Sequence, residues 1–293
     1  MLPTLYLLKR HYPGSIITFV GSHWALKLIP LLNIPCRLVS YDSMELAPLF
    51  AASAPTSAPD YIREADLIVA YVANTDGEFA MNLRQVTRGR VIIWDSNPPA
   101  DRHAAEHFAS ALAQINIDTK NLPAPGLTPG DADRRSVQGW LRHHINGNFA
   151  VVHPGSGSPH KCWPAEKFAR LVTLITSHNK EIVMLQGPAD KKACEKVLVQ
   201  LPDTAPVTVA GWEDLGKVTA LLQQGDFYVG NDSGMSHLAG AAGIKGCAIF
   251  GPTDHKMWRP YGTAITPVYT MKKQYIWPDV EEVWTRLQRI AKT

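Results

Sequence analysis

Short runs of β-branched and aromatic residues alternate with longer stretches of helical periodicity along this chain, and the alternation happens twice. That pattern specifies βαβ units around a parallel sheet, since parallel neighbours need a crossover long enough to hold a helix. In the first half Ile16–Val20, Arg37–Tyr41, Asp66–Ala70 and Arg90–Trp94 read as strands, with helices around Leu26, Phe79 and Phe108. The stretch Asn121–Asp133, with its prolines and glycines, breaks any regular element and reads as a linker. A helix carrying Trp140 and Leu141 follows it. The second series places strands at Phe149–His153, Glu181–Gln186, Val207–Ala210, Phe227–Gly230 and Lys245–Phe250. Its helices fall near Phe168, Val197, Leu221, Leu238 and over Val283–Ile290. No repeat of solenoid length is present.

Composition removes several classes. With 293 residues the chain is long enough for two cores, and 45% hydrophobic with 19% charged residues is a globular balance. The 29 basic residues exceed the 26 acidic ones by three and are spread along the chain, which argues against a nucleic-acid groove. Cys36, Cys162, Cys194 and Cys247 form no C-x-x-C pair, which disfavours structural zinc and suits reduced thiols of a cytoplasmic protein. No apolar run approaches the roughly 18 residues of a membrane span, and Met1–Lys9 lacks a signal-peptide pattern.

In open α/β sheets ligands sit beyond the carboxyl ends of the strands, so residues there carry the most information. After Phe149–His153 comes Pro154-Gly155-Ser156-Gly157-Ser158-Pro159-His160-Lys161-Cys162-Trp163-Pro164. Glycines permit close backbone approach, serine hydroxyls donate to phosphate oxygens and Lys161 brings a compact charge, which together make a diphosphate cradle. Taken alone, the same loop reads sooner as a plain βα connection with Lys161 in water. It is neither a Walker A loop nor G-x-G-x-x-G, and its Ser158-x-x-Lys161 lacks the partner motifs of penicillin-recognising enzymes.

After Phe227–Gly230 comes Asn231-Asp232-Ser233-Gly234-Met235-Ser236-His237 at the start of a helix, where free N–H groups and the helix dipole favour an anion. Capping by Asp232 and Ser233, with His237 merely packing, is the plainer alternative. Gly251-Pro252-Thr253-Asp254 reads as a turn. In Gln186-Gly187-Pro188-Ala189-Asp190, Gly187 allows a base or ribose to approach, while Asp190 is read as a helix cap in preference to a ribose ligand. His103 and His107, four apart, read as a solvated helix face in preference to a zinc pair, and His143-His144 carries less weight still. Asp95, just after the strand Arg90–Trp94 and with Asn97-Pro98-Pro99, stands where an acceptor could meet a cleft, a role that is not the favoured one.

Taken together, His153-Pro154-Gly155-Ser156 through Lys161-x-Trp163-Pro164, Gly230-Asn231-Asp232-Ser233-Gly234 with Ser236-His237-Leu238, and Phe250-Gly251-Pro252-Thr253 resemble the heptosyltransferase family. This is glycosyltransferase family 9, whose members move heptose from a nucleotide diphosphate onto the lipopolysaccharide core. Met235 stands where such sequences often carry proline. The first half matches more loosely, through Leu2-Pro3-Thr4-Leu5 and Lys9–Gly14. The resemblance implies a GT-B-type fold of two Rossmann-like domains facing across a cleft, residues 1–145 on the acceptor side and 146–293 on the donor side. The last helix would be able to pack back on the first domain.

The resemblance also implies inverting transfer without metal or other cofactor, Ser156 and Lys161 on the donor diphosphate, Gly187 beside the nucleoside, and Asp232, Ser233, Gly234 and His237 around phosphates and sugar. Lys161 would stabilise the leaving group. Partners would be a nucleotide sugar, with ADP-heptose foremost, and a lipopolysaccharide-core or related glycan, with no nucleic acid. Transient contact with the inner membrane surface is compatible with such an acceptor, although no helix here is basic enough to argue it. Family members open with a central strand and a Gly-Asp loop that supplies the base, and neither precedes Met1 here. The expectation is therefore two unpaired inner strand edges, with Met1 either internal to a longer protein or the start of an impaired one. The competing readings are a binding-only paralogue and a nicotinamide oxidoreductase, the latter disfavoured because no G-x-G-x-x-G follows a strand.

Overall fold

The apolar run Phe149–His153 becomes β5, a strand buried on both faces along its whole length, as a central parallel strand must be. In the computed structural model, which describes all residues except 53, 54, 56, 272–275, 292 and 293, the chain forms two compact units, Met1–Pro123 and Ala124–Thr293.

In the first unit the elements are α1 (Leu2–His11), β1 (Ile17–Gly21), α2 (His23–Leu28), β2 (Cys36–Ser40), α3 (Asp60–Arg63), β3 (Leu67–Val72), α4 (Glu78–Val86), β4 (Arg90–Asp95) and α5 (Ala104–Ser110). Among the described residues β1 pairs only with β2, and β3 only with β4, both in parallel, as two separate two-stranded sheets. A cavity of about 1570 Å³ is lined by residues of both β1 and β3, with Leu5 and Leu8 of α1 contributing to its wall. Every residue of β3 is only partly buried, in contrast to β5. Two smaller apolar clusters cover opposite faces of the β3–β4 sheet: Leu7 and Leu112 with Ile92 on one, Leu49 and Leu83 with Ile68 and Ile93 on the other, where Val39 of β2 joins them.

The second unit runs α6 (Asp131–His144), β5, α7 (Ala165–Thr176), β6 (Glu181–Leu185), α8 (Lys191–Leu198), β7 (Val207–Ala210), α9 (Leu215–Leu222), β8 (Tyr228–Asn231), α10 (Gly234–Ala242), β9 (Gly246–Ile249), α11 (His255–Trp258), β10 (Ile265–Val268) and α12 (Val280–Ala291). Its sheet is all parallel in the order β10-β9-β8-β5-β6-β7. The chain fills one half outward from β5 and the other outward from β8, so the direction of winding reverses between these two strands. The core is continuous from Phe168, Leu171 and Ile175 of α7 through Ile182, Met184 and Val229 of the sheet to Val283 and Leu287 of α12.

Three features depart from the sequence reading. The division falls at Pro123–Ala124, inside the Pro/Gly stretch, and not at 145/146. α6 packs on α9, and the segment before it is tied down by Leu127 N donating to Ala241 O (3.0 Å) and Gln223 Nε2 donating to Leu127 O (3.1 Å). The last helix packs on α7, β9 and β10 of its own unit, with Arg170 and Glu281 paired across it. β10 was not expected, because Pro267 interrupts the run; the strand tolerates it at the sheet edge, where a missing N–H leaves no ladder bond unmade.

Candidate functional site

The crevice at a switch of winding is where an open α/β sheet receives its ligand, and here it is framed by the loops leaving β5 and β8. Asn231, the last residue of β8, is fully buried. Its Nδ2 donates to Pro154 O (2.8 Å) and Gly155 O (3.2 Å), and its Oδ1 accepts from Trp163 N (2.9 Å). One side chain thus pins both ends of the loop 154–163. Trp163 closes the loop from below, buried and donating through Nε1 to Pro278 O (3.1 Å).

The next residue, Asp232, organises the loop's chemistry. Its buried Oδ2 accepts from Lys161 Nζ at 3.2 Å and from Thr253 Oγ1 at 2.7 Å, and its main-chain carbonyl accepts from Ser156 Oγ at 3.1 Å. Four expected or noted positions, Ser156, Lys161, Asp232 and Thr253, therefore meet at one point. The Lys161 side chain is 37% exposed and that of Asp232 6%. A carboxylate accepts hydrogen bonds, so it aims the lysine and the threonine hydroxyl. Lys161 has three donors and uses one here, which leaves charge and donors for an anion at the mouth.

α10 starts beside this cluster. Ser233 is its N-cap residue but makes no side-chain cap bond, and Asp232 faces Lys161, so the capping alternative does not describe either side chain. The first N–H groups of the helix open at exposed Gly234, and His237 is exposed one turn further in. Ser236 is structural: buried, it donates to Asn231 O (2.6 Å) and meets the Tyr228 hydroxyl (3.1 Å). Gly187 follows β6, the neighbour of β5, and its N–H donates to Asp190 Oδ2 at 2.9 Å.

Asp190 itself departs from expectation. It heads α8 but makes no cap bond. Its Oδ2 lies 3.0 Å from Nε2 of buried His153, and because a carboxylate only accepts, that nitrogen carries the proton. Burial pushes the Asp190 carboxyl up, and the His153 hydrogen bond and charge with the Gly187 N–H pull it down further, leaving it below its ordinary value. Thr253 and Asn231 belong to the motifs that carry the family resemblance, but the sequence assigns neither a role: it shows a turn residue and the residue that follows a strand. The signal for Asn231 was an amide at the end of a fully apolar strand, where a buried side chain must find several partners.

The remaining candidates lie elsewhere and serve structure. His103 and His107 are buried, so they form no solvated face: His103 Nδ1 accepts from Ala105 N, and His107 Nε2 donates to Asp95 O at 2.7 Å. Among the described residues no group of three or more His, Cys, Asp or Glu converges to hold a metal ion. Asp95 accepts from the main chain and side chain of Asn97, a local turn. His144 stacks on Trp140. The four cysteines are free, and burial lifts the Cys194 and Cys247 thiols to about 12.

A sheet wound in this order, with a smaller parallel α/β unit before it, is a doubly wound α/β arrangement, and its likeness to solved family 9 structures makes the fold GT-B type. The sequence profile of glycosyltransferase family 9 (heptosyltransferase) matches residues 68–282, and the chain belongs to that family. Among characterised proteins, lipopolysaccharide heptosyltransferase 3 of Escherichia coli is 31% identical over 189 residues, 64% of this chain and 54% of the relative. The chain thus spans about half the length of that relative. In fold it is similar to a family 9 glycosyltransferase from Veillonella parvula (TM-score 0.81, 18% identity, covering 99% of this chain and 92% of the other). It is likewise similar to Escherichia coli ADP-heptose lps heptosyltransferase II (TM-score 0.78, 14% identity, 99% and 94%).

Proposed function

We propose that the protein transfers heptose from a nucleotide diphosphate donor, ADP-heptose, to a lipopolysaccharide-core acceptor, with inversion at the anomeric carbon. The observation that carries this reading is the convergence of Lys161, Ser156 and Thr253 on Asp232 at the N-terminal end of α10, in a chain of family 9. The acceptor hydroxyl attacks the anomeric carbon as the bond from that carbon to the diphosphate oxygen breaks. The acceptor's proton passes to a base, and the electron pair leaves on the diphosphate. Negative charge grows there, and Lys161 and the N–H groups opening at Gly234 stabilise it, joined by the Ser156 hydroxyl once it turns from the Asp232 carbonyl to the diphosphate, with Gly187 bordering the nucleoside and Ser233 and His237 near the sugar. Lys161 is already aimed by Asp232, so little reorganisation accompanies the charge build-up. We place the acceptor on the first unit and the reaction in the cytoplasm; among the described residues no helix is long and apolar enough to cross a membrane.

The test is ADP release and product formation with ADP-heptose and a heptose-deficient core acceptor. Lys161→Ala is expected to lower turnover about 10²–10³-fold, the scale of losing one charge-stabilising donor; near-normal turnover would remove Lys161 from the mechanism. One observation favours a second reading, donor binding without transfer: among the described residues β1 and β3 each pair on one side alone, in the unit assigned to the acceptor. Tight ADP binding with no transfer to any core acceptor would select it.

A further inference from the structure

Behind the loop that leaves β5 lies a buried pair that the proposed transfer does not use. His153, 3% exposed, ends β5 and meets Asp190 Oδ2 through Nε2 at 3.0 Å, while the same oxygen accepts from Gly187 N at 2.9 Å. The other carboxylate oxygen, Oδ1, lies against the backbone of Gly155: a Cβ at that position would stand 1.9 Å from it. A Cβ on Gly187 would stand 2.8 Å from Oδ2. Neither glycine has a positive φ, so neither is required by backbone conformation. Both leave room for one carboxylate. His153 Nδ1 is buried and has no hydrogen-bond partner among the described residues, so the contact with Asp190 fixes the ring. Asp190 heads a helix yet turns away from capping it, giving up a local bond for a distant one.

We propose that Asp190 and His153 are a positioning pair for the donor loop. They set the spacing between the segment carrying Ser156 and Lys161, which Asn231 holds from the other side, and the turn at Gly187. That spacing is the width of the opening in which a nucleoside diphosphate sits. The proposal rests on the donor-site reading, and it accounts for two glycines and an uncapped aspartate that the transfer chemistry leaves unexplained.

The decisive experiment is a double-mutant cycle read by calorimetric binding of ADP, with Gly155→Ala, Asp190→Ala and the two combined. Each single change is expected to weaken ADP binding about tenfold, and the combination to be no weaker than Asp190→Ala alone, since the added methyl then meets no carboxylate. Losses that multiply in the double variant would overturn the proposal, because the methyl would then act without Asp190. Amide hydrogen exchange of the ligand-free chain gives a readout independent of the donor. Asp190→Ala is expected to speed exchange in residues 154–161 and at Gly187 about tenfold while leaving β7 and β9 unchanged. A uniform rise across the sheet would mean a general loss of stability and would overturn the positioning role. If Asp190→Ala does not fold, Asp190→Asn, which keeps the shape and removes the charge, is expected to show the same local exchange pattern, and its absence would count equally against the pair. Failure of the unchanged chain to bind ADP would sink the donor-site reading, and the exchange pattern would still decide the pairing.

Discussion

Asp232 carries two donors on one oxygen, and the two can be separated. Thr253→Val keeps the shape and removes the hydroxyl that shares Oδ2 with Lys161. Lys161 then keeps its partner but loses the second restraint on the carboxylate. We expect turnover to fall about tenfold with little change in the ADP dissociation constant, a split read by comparing steady-state rates with calorimetry; equal loss in both would mean that Thr253 touches the donor directly. The Asp190 carboxyl supplies a pH prediction at the same scale. Its value is lowered in the folded state, so its contribution to stability is present above the unfolded value of about 4 and is lost as pH falls through the folded one. Thermal denaturation from pH 6 to pH 2 is expected to show a flatter acid limb in Asp190→Asn than in the unchanged chain, and identical limbs would mean that Asp190 gains nothing from His153. The sequence shows Asp190 as a cap because an aspartate before a helix satisfies the local rule. Only the fold brings in a histidine from another strand to compete for it.

The loop 154–163 is an irregular element held in place by one amide side chain. Asn231→Leu leaves Trp163 N without its acceptor in a buried place and removes two further bonds. A cost of about 3 kcal/mol is expected, roughly 6–12 °C in melting temperature for a unit of this size. Lys161 would be displaced with the loop, and a melting temperature unchanged within about 2 °C would show that Asn231 does not hold it. Nine of the ten strands were legible, because runs such as Ala150-Val151-Val152 and Ile182-Val183-Met184-Leu185 are apolar enough to be strands of a parallel sheet whatever surrounds them. β10 was not, since Pro267 argues against a strand unless its place at the edge is known. The Pro/Gly stretch marks the connection between the units, but a bound at 145/146 leaves α6 with the first unit, because nothing local to the helix says which sheet it serves. The bonds from Gln223 and Ala241 to Leu127, which bind that stretch to the second unit, link residues far apart in sequence and leave no local trace.

At the scale of the molecule the two units differ in how completely their strands are paired. β5 and β8 have neighbours on both sides, whereas β1 and β3 have one each and share a cavity of about 1570 Å³. Amides of β1 and β3 are therefore expected to exchange at least about a hundredfold faster than those of β5, and an apolar dye to fluoresce with the folded chain under native conditions. Equal protection in both units would show the edges to be closed in solution. An open edge has a social consequence as well as a thermodynamic one. Ile17-Thr18-Phe19-Val20 carries no charge and no proline, two of the devices by which an edge refuses a stranger's strand, so wherever this edge is left unpaired one copy of the chain can serve as the template for the next. The useful lifetime of a solution of this protein is then a matter of how much of it is present. Thr18→Lys, which puts a charge in the middle of that edge, is expected to slow the growth of light scattering on concentration while ADP affinity stays as it was.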